Sequence, residues 1–80
     1  MNLHLSIVSP EQQLFDGEIT SITLPGAIGI FTILPQHAPI VSSLVKGEII
    51  YISKGEEYTL NIQSGFLELS NGTVSVCVSL

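Results

Sequence analysis

Apolar and polar positions alternate at period two along most of the chain. Leu3, Leu5 and Ile7 alternate with His4 and Ser6, and Val74, Val76 and Val78 alternate with Ser75 and Cys77. This is the spacing of a strand with one face on a core and the other in solvent. No 3.6-residue apolar period runs beyond a turn or two. Turn signals recur every ~8–12 residues, the layout of a sandwich or small barrel. The pattern predicts an all-β fold in one domain over residues 1–80.

The punctuation divides the chain further. Ser9-Pro10-Glu11 ends the first strand, and Gln12 to Phe15 predicts a second, closed by a turn at Asp16-Gly17. Glu18 to Leu24 reads as one strand with Ile22 and Leu24 on one face and Ile19 on the other. Pro25-Gly26 carries a type II turn signal, since proline presets the first central residue and glycine supplies positive φ at the second. Gly29 to Leu34 is strand-like. Ile40 to Val45 is extended, with Ile40, Ser42 and Leu44 opposed to Val41, Ser43 and Val45. Glu48 to Ser53 and Tyr58 to Ile62 flank Lys54-Gly55-Glu56-Glu57 as a hairpin, and Ser64-Gly65 precedes the next strand. Asn71-Gly72 predicts a type I′ turn that pairs Phe66–Ser70 with Thr73–Val78, because both positions need positive φ. Asn71-Gly72-Thr73 also matches a glycosylation acceptor, and the turn is the preferred reading.

Composition narrows the partners. Of 80 residues, 45% are apolar, and two basic against seven acidic side chains give a net charge of −5. That charge provides no counterion-release drive onto phosphates and is repelled by an anionic bilayer, which argues against nucleic acid and direct lipid insertion. Apolar runs fall short of a ~20-residue span, and no basic-then-apolar leader opens the chain. The expectation is a soluble, intracellular protein. One cysteine allows no internal disulfide, and Cys77 lies opposite the valines of its strand.

Chemistry is sparse. The carboxylates are scattered at turns and strand ends, with no His/Cys ligand cluster and no phosphate-cradling glycine loop, so no catalytic, cofactor-binding or metal site is assigned. His37 lies near Ser42 and Ser43 in sequence, but strand geometry separates neighbours and no orienting carboxylate is evident. An alternative reading is a lipoyl- or biotinyl-type carrier with Lys54 at a hairpin tip, although Ser53 and Gly55 do not match the Met-Lys-Met or Asp-Lys-Ala contexts of those families. The strongest feature is residues 31–41, Phe-Thr-Ile-Leu-Pro-Gln-His-Ala-Pro-Ile-Val. Pro35 and Pro39 fix φ, remove donors and hold His37-Ala38 in a stiff, non-helical segment suited to presentation.

Several blocks together resemble the N-terminal domain family of F-type ATP synthase epsilon subunits. They are Val8 to Gly17 (Val-Ser-Pro-Glu-Gln-Gln-Leu-Phe-Asp-Gly), Pro25-Gly26, Ile33 to Ile40 (Ile-Leu-Pro-Gln-His-Ala-Pro-Ile), Gly47-Glu48-Ile49 and Gly65 to Leu69. The resemblance covers about Leu3 to Val78. It implies a flattened β-sandwich of two packed sheets with roughly ten short strands, in a short form without the helical hairpin that typical members carry after the final strand. It also implies a non-catalytic rotor subunit of the F1 complex, linking the gamma subunit to the polar loops of the c-ring and coupling proton translocation to ATP synthesis. Its place would be peripheral, on the cytoplasmic face of the bacterial plasma membrane. By the same resemblance Ser9, His37, Ala38, Pro39 and Ile40 face gamma, and Gly29, Ile30, Phe31 and Thr32 face the ring. Family members often have Gly-Glu-Phe-Gly in the ring-facing loop. Here Ile30 and Thr32 stand where the acid and the second glycine do, which points to an apolar contact there.

Overall fold

The computed structural model describes residues 2–80. Nine strands follow one another: β1 (Leu3–Val8), β2 (Gln13–Ile19), β3 (Ser21–Pro25), β4 (Ile30–Ile33), β5 (Ile40–Leu44), β6 (Gly47–Ser53), β7 (Glu56–Ile62), β8 (Ser64–Ser70) and β9 (Thr73–Ser79). They form a five-stranded sheet in the order β2-β1-β9-β8-β5 and a four-stranded sheet in the order β4-β3-β6-β7. All neighbours are antiparallel except β1 and β9, which run parallel.

The inward faces explain the period-two pattern. Leu3, Leu5, Ile7, Leu67, Leu69, Val74, Val76 and Val78 of the five-stranded sheet are buried in one cluster with Ile22, Leu24, Ile33, Ile49 and Ile62 of the other. Each such side chain contributes about 1.5–3 kcal/mol on leaving water. Polar ties fasten the two sheets where they meet. Ser53 Oγ donates to the Glu18 carbonyl at 2.7 Å, and Thr20 N–H donates to the Ile52 carbonyl at 2.9 Å. Tyr51 lies between Phe15, at 4.7 Å between ring centroids, and Tyr58, at 5.4 Å.

Both hairpin turns predicted from Lys54-Gly55 and Asn71-Gly72 form, with positive φ at both central residues of each, 52° and 78° in the first and 50° and 76° in the second. The first is tighter than expected: Ser53 pairs with Glu56, so Glu56 and Glu57 belong to β7 and not to the loop.

Other boundaries differ from the sequence reading. There is no turn at Asp16-Gly17, because β1 pairs with β2 without interruption from Phe15 to Ile19, with Ser6 opposite Asp16 and Leu5 opposite Gly17. Glycine serves packing there, since a Cβ would lie 3.2 Å from the Phe15 ring. Glu18 to Leu24 is broken at Thr20, where the chain leaves one sheet for the other. That crossing turns Ile19 inward together with Ile22 and Leu24, and all three are buried. The chain also changes sheets between β4 and β5, between β5 and β6, and at Gln63 between β7 and β8, and Ser64-Gly65 is already strand.

The proline turn is also displaced. Pro25 ends β3, and Gly26 is not among the positive-φ glycines. The close hydrogen bond runs instead from Gly29 N–H to the Gly26 carbonyl, 3.1 Å. Gly26 is required by crowding, because a Cβ would sit 2.7 Å from the Phe31 ring and 2.8 Å from the Gly29 carbonyl oxygen. The chain's proline-initiated turn with positive φ is at Leu34–His37: Pro35 precedes Gln36, φ 73°, and His37 N–H donates to the Leu34 carbonyl at 3.2 Å. Glutamine in place of glycine hid it from a reading by residue type.

Candidate functional site: two docking edges

Two exposed edges flank strand β5. The first is the segment entering it. The turn at Pro35-Gln36 lifts His37, Ala38 and Pro39 into solvent, and Leu34 beside them is also exposed. His37 Nδ1 lies 2.7 Å from the Ala38 carbonyl oxygen and so donates to it, which pins the ring to its own backbone. Ile40 is only half exposed and packs against the protein's own core. It is thus the anchor of the segment more than its contact surface.

Ser9 does not join that group. It follows β1 and accepts a hydrogen bond from Gln12 N–H at 3.3 Å, closing a local turn. In register, Ile40 aligns through Leu69 and Val74 with Leu5. Ser9 is four residues further along β1 and three strand spacings across, roughly 20 Å from Ile40 by strand geometry. A partner touching both must span the outer face of the five-stranded sheet. That face carries a feature the sequence reading missed: Val8, Cys77 and Phe66 stand in one cross-strand row. They line an apolar depression of about 480 Å³ that also includes Ser9 and Pro10. Period two places these residues outward, and an outward Phe was the available signal.

The second edge is the β3–β4 loop together with the start of β4. Ile30 is 79% exposed and Gly29 is exposed with φ 153°. Thr32 is exposed and its Oγ1 lies 2.9 Å from Thr23 Oγ1. Phe31, grouped with them from sequence, instead turns inward beneath Gly26 and packs on the core. Ile28, which the sequence reading passed over, is the most exposed apolar side chain here at 103%.

One charged cluster lies elsewhere. On the outer face of β1, His4 Nε2 is 2.6 Å from Asp16 Oδ1 and Nδ1 is 3.4 Å from Glu18 Oε2. The two carboxylates address opposite sides of the ring, so a single ion cannot meet all three. Such exposed pairs contribute about 0–1 kcal/mol. Among the described residues, no group of three His, Cys, Asp or Glu side chains is placed to hold a metal.

The structure is a two-sheet β-sandwich with several apolar side chains exposed at its margins. Residues 2–79 match the family described as ATP synthase, Delta/Epsilon chain, beta-sandwich domain. The chain belongs to that family. It is similar to the ATP synthase epsilon chain of Leptospira borgpetersenii, 43% identical over 75 residues covering 92% of this chain and 58% of the relative. The epsilon chain of Maricaulis maris is 38% identical over 74 residues, covering 92% of this chain and 56% of the relative. The chain thus spans somewhat over half the length of these relatives. In fold it is similar to a chain of the Euglena gracilis mitochondrial ATP synthase, solved as an OSCP/F1/c-ring assembly, with TM-score 0.91 and 20% identity over 99% of this chain and 51% of that one. A chain from the central stalk and c-ring of the Tetrahymena thermophila enzyme gives TM-score 0.82 and 15% identity, covering 100% and 65%. Family membership leaves the carrier reading of Lys54 without support.

Proposed function

We propose that this chain is a non-catalytic part of an ATP synthase central stalk, standing between the gamma subunit and the c-ring and helping to couple proton translocation to ATP synthesis. Its place is peripheral, within F1 at the cytoplasmic face of a bacterial plasma membrane. The observation that carries the reading is the distribution of exposed apolar groups. Of the eight large apolar side chains that stand exposed among the described residues, six, Ile28, Ile30, Leu34, Val41, Val45 and Phe66, gather around β5, its two flanking edges and the adjoining sheet face, and Tyr58 and Leu80 lie apart from them.

In this reading gamma meets the Pro35–Pro39 segment and the outer face of the five-stranded sheet, with His37, Ala38 and Pro39 in direct contact, Ser9 at the far end and Ile40 as anchor. Gly29, Ile30 and Thr32 face the ring, with Phe31 supporting them from below. The mechanism is mechanical. A part that transmits torque must not shear, and a sandwich whose backbone bonds are satisfied within its sheets and whose core is close-packed has little slack. The two prolines and the turn at Gln36 hold the contact residues in bound geometry beforehand, which lowers the ordering cost of docking.

Co-purification tests this. Affinity-tagged chain, expressed with the gamma and c subunits from the same genome, is expected to carry gamma and, with it, the ring. Recovery of the folded chain free of both contradicts the reading.

A further inference from the structure

Asn71-Gly72 closes the β8–β9 hairpin, and the pair carries a reactivity that the turn itself does not use. Asparagine is among the chemically labile residues, and a following glycine leaves the next backbone nitrogen without a side chain to shield it. Both residues are exposed, with φ 50° at Asn71 and 76° at Gly72. The ladder stops on either side of them, where Ser70 pairs with Thr73. Between those two, Gly72 N–H meets no acceptor and the Asn71 side-chain amide has no hydrogen-bond partner among the described residues. A Cβ on Gly72 would meet nothing within 4 Å, so its nitrogen stands in open space.

The other candidates in the chain are blocked. Asn2 and Asn61 precede Leu3 and Ile62, branched side chains that are both buried and cover the following nitrogen. Asp16-Gly17 has the same spacing in acid form, but it lies inside β2, with Leu5 opposite Gly17 and Asp16 Oδ1 2.6 Å from His4 Nε2. Its backbone is held extended by the ladder, and a carboxylate is a poorer electrophile than an amide.

We propose that Asn71 is this chain's site of spontaneous deamidation, with water as the co-reactant. Base removes the Gly72 amide proton, and the nitrogen attacks Asn71 Cγ. The N–Cγ bond forms, the Cγ–Nδ2 bond breaks, and ammonia leaves with a proton from solvent, closing a five-membered succinimide. Water then adds to one of the two ring carbonyls. Opening at Cγ gives aspartate in an unaltered backbone, and opening at the main-chain carbonyl gives isoaspartate, with the chain running through Cγ. No oxidation or reduction takes place.

The turn slows the attack without preventing it. Ring closure requires Asn71 to leave its turn conformation, which needs only local opening of the hairpin tip and not global unfolding. Isoaspartate then adds a backbone atom to a two-residue turn whose length fixes the register of its strands. It also displaces the Gly72 carbonyl, which accepts from His4 N–H at 2.9 Å and ties the turn to the start of β1. The change falls at the corner of the five-stranded sheet where β5 begins, since Ile40 pairs with Leu69, two residues before Asn71.

The test incubates the folded chain, and the same chain unfolded in guanidinium chloride, in mildly alkaline buffer. Peptide mass spectrometry follows Asn2, Asn61 and Asn71, and isoaspartate at Asn71 and Asp16 is scored with an isoaspartate-specific methyltransferase. In the folded chain Asn71 is expected to convert, mainly to isoaspartate, while Asn2, Asn61 and Asp16 stay intact. Unfolding is expected to speed conversion at Asn71 by about tenfold or more. The isoaspartyl fraction should melt at a lower temperature than the unconverted chain and exchange the His4 amide proton faster. Asn71→Asp, which carries the acid in an unaltered backbone, should melt closer to the unconverted chain than that fraction does. An intact Asn71 in the folded chain, with or without conversion in the unfolded one, overturns the proposal. Conversion of Asn2, Asn61 or Asp16 at a comparable rate in the folded chain overturns it as well, because the turn then confers no selectivity. An isoaspartyl fraction that melts and exchanges like the unconverted chain removes the structural consequence.

Discussion

Ile30 and Ile33 stand three residues apart in one strand, yet Ile33 is fully buried and Ile30 is 79% exposed. The side chain is the same and the strand is the same. What differs is the face: β4 turns Ile33 onto the shared core, whereas Ile30 pairs with Pro25 at the loop end and points away from it. The lesson is that apolar area in this domain has two uses. One set stabilises the sandwich, and the other stands exposed at its margin, where little of its area is buried by folding.

The comparison is sharpened first by substitution in each set. Leu5→Ala, in the centre of the core, is expected to lower unfolding free energy by about 2–5 kcal/mol, read from urea denaturation with an unchanged slope. Ile28→Asp, on the exposed loop, should shift it by no more than about 0.5 kcal/mol. A large loss at Ile28 would show that the loop serves the fold after all and would break the distinction.

Next in size is Gly65→Ala, on β8. A Cβ there would approach the Cys77 carbonyl oxygen to 2.7 Å, a backbone atom that cannot swing aside. The expected cost is about 1–3 kcal/mol by the same denaturation measurement. It bears on the comparison because Gly65 lines the apolar depression with Val8 and Phe66, where docking face and sheet backbone coincide.

The smallest effect concerns the core's one ionisable aromatic. Burial, and secondarily the neighbouring Tyr58, push the Tyr51 hydroxyl above its ordinary value of 10.0. The folded state then retains a proton that the unfolded chain releases, so stability is full below about pH 10 and declines as pH rises from there through the folded value. Tyr51→Phe should flatten that alkaline limb, measured as melting temperature against pH. The same slope in both proteins would contradict it.

Strand faces were the most legible part of this molecule, because period two is a direct consequence of backbone geometry. Leu5, Ile7, Val74 and Val76 announce themselves, and so do the turns at Lys54-Gly55 and Asn71-Gly72, where glycine marks the conformation. The sheet crossings at Thr20 and Gln63 were not legible. Neither residue has special backbone chemistry to mark the switch. The turn at Pro35-Gln36 was hidden for a related reason, since Gln36 takes a left-handed φ of 73° that glutamine does not signal as glycine would. At the docking edges, the Leu-Pro-Gln-His-Ala-Pro block stood out in sequence. Ile28 and the row of Val8, Cys77 and Phe66 did not, because an apolar residue in sequence looks the same whether its partner is its own core or another protein.

The central claim is that the proline-braced segment grips a partner that the core does not need. Capture of gamma by the chain carrying His37→Asp and Ala38→Asp, both fully outside the core, tests it most directly. The account predicts an unchanged melting temperature with gamma capture reduced about tenfold or more. Capture equal to the wild type, at the same melting temperature, would contradict it.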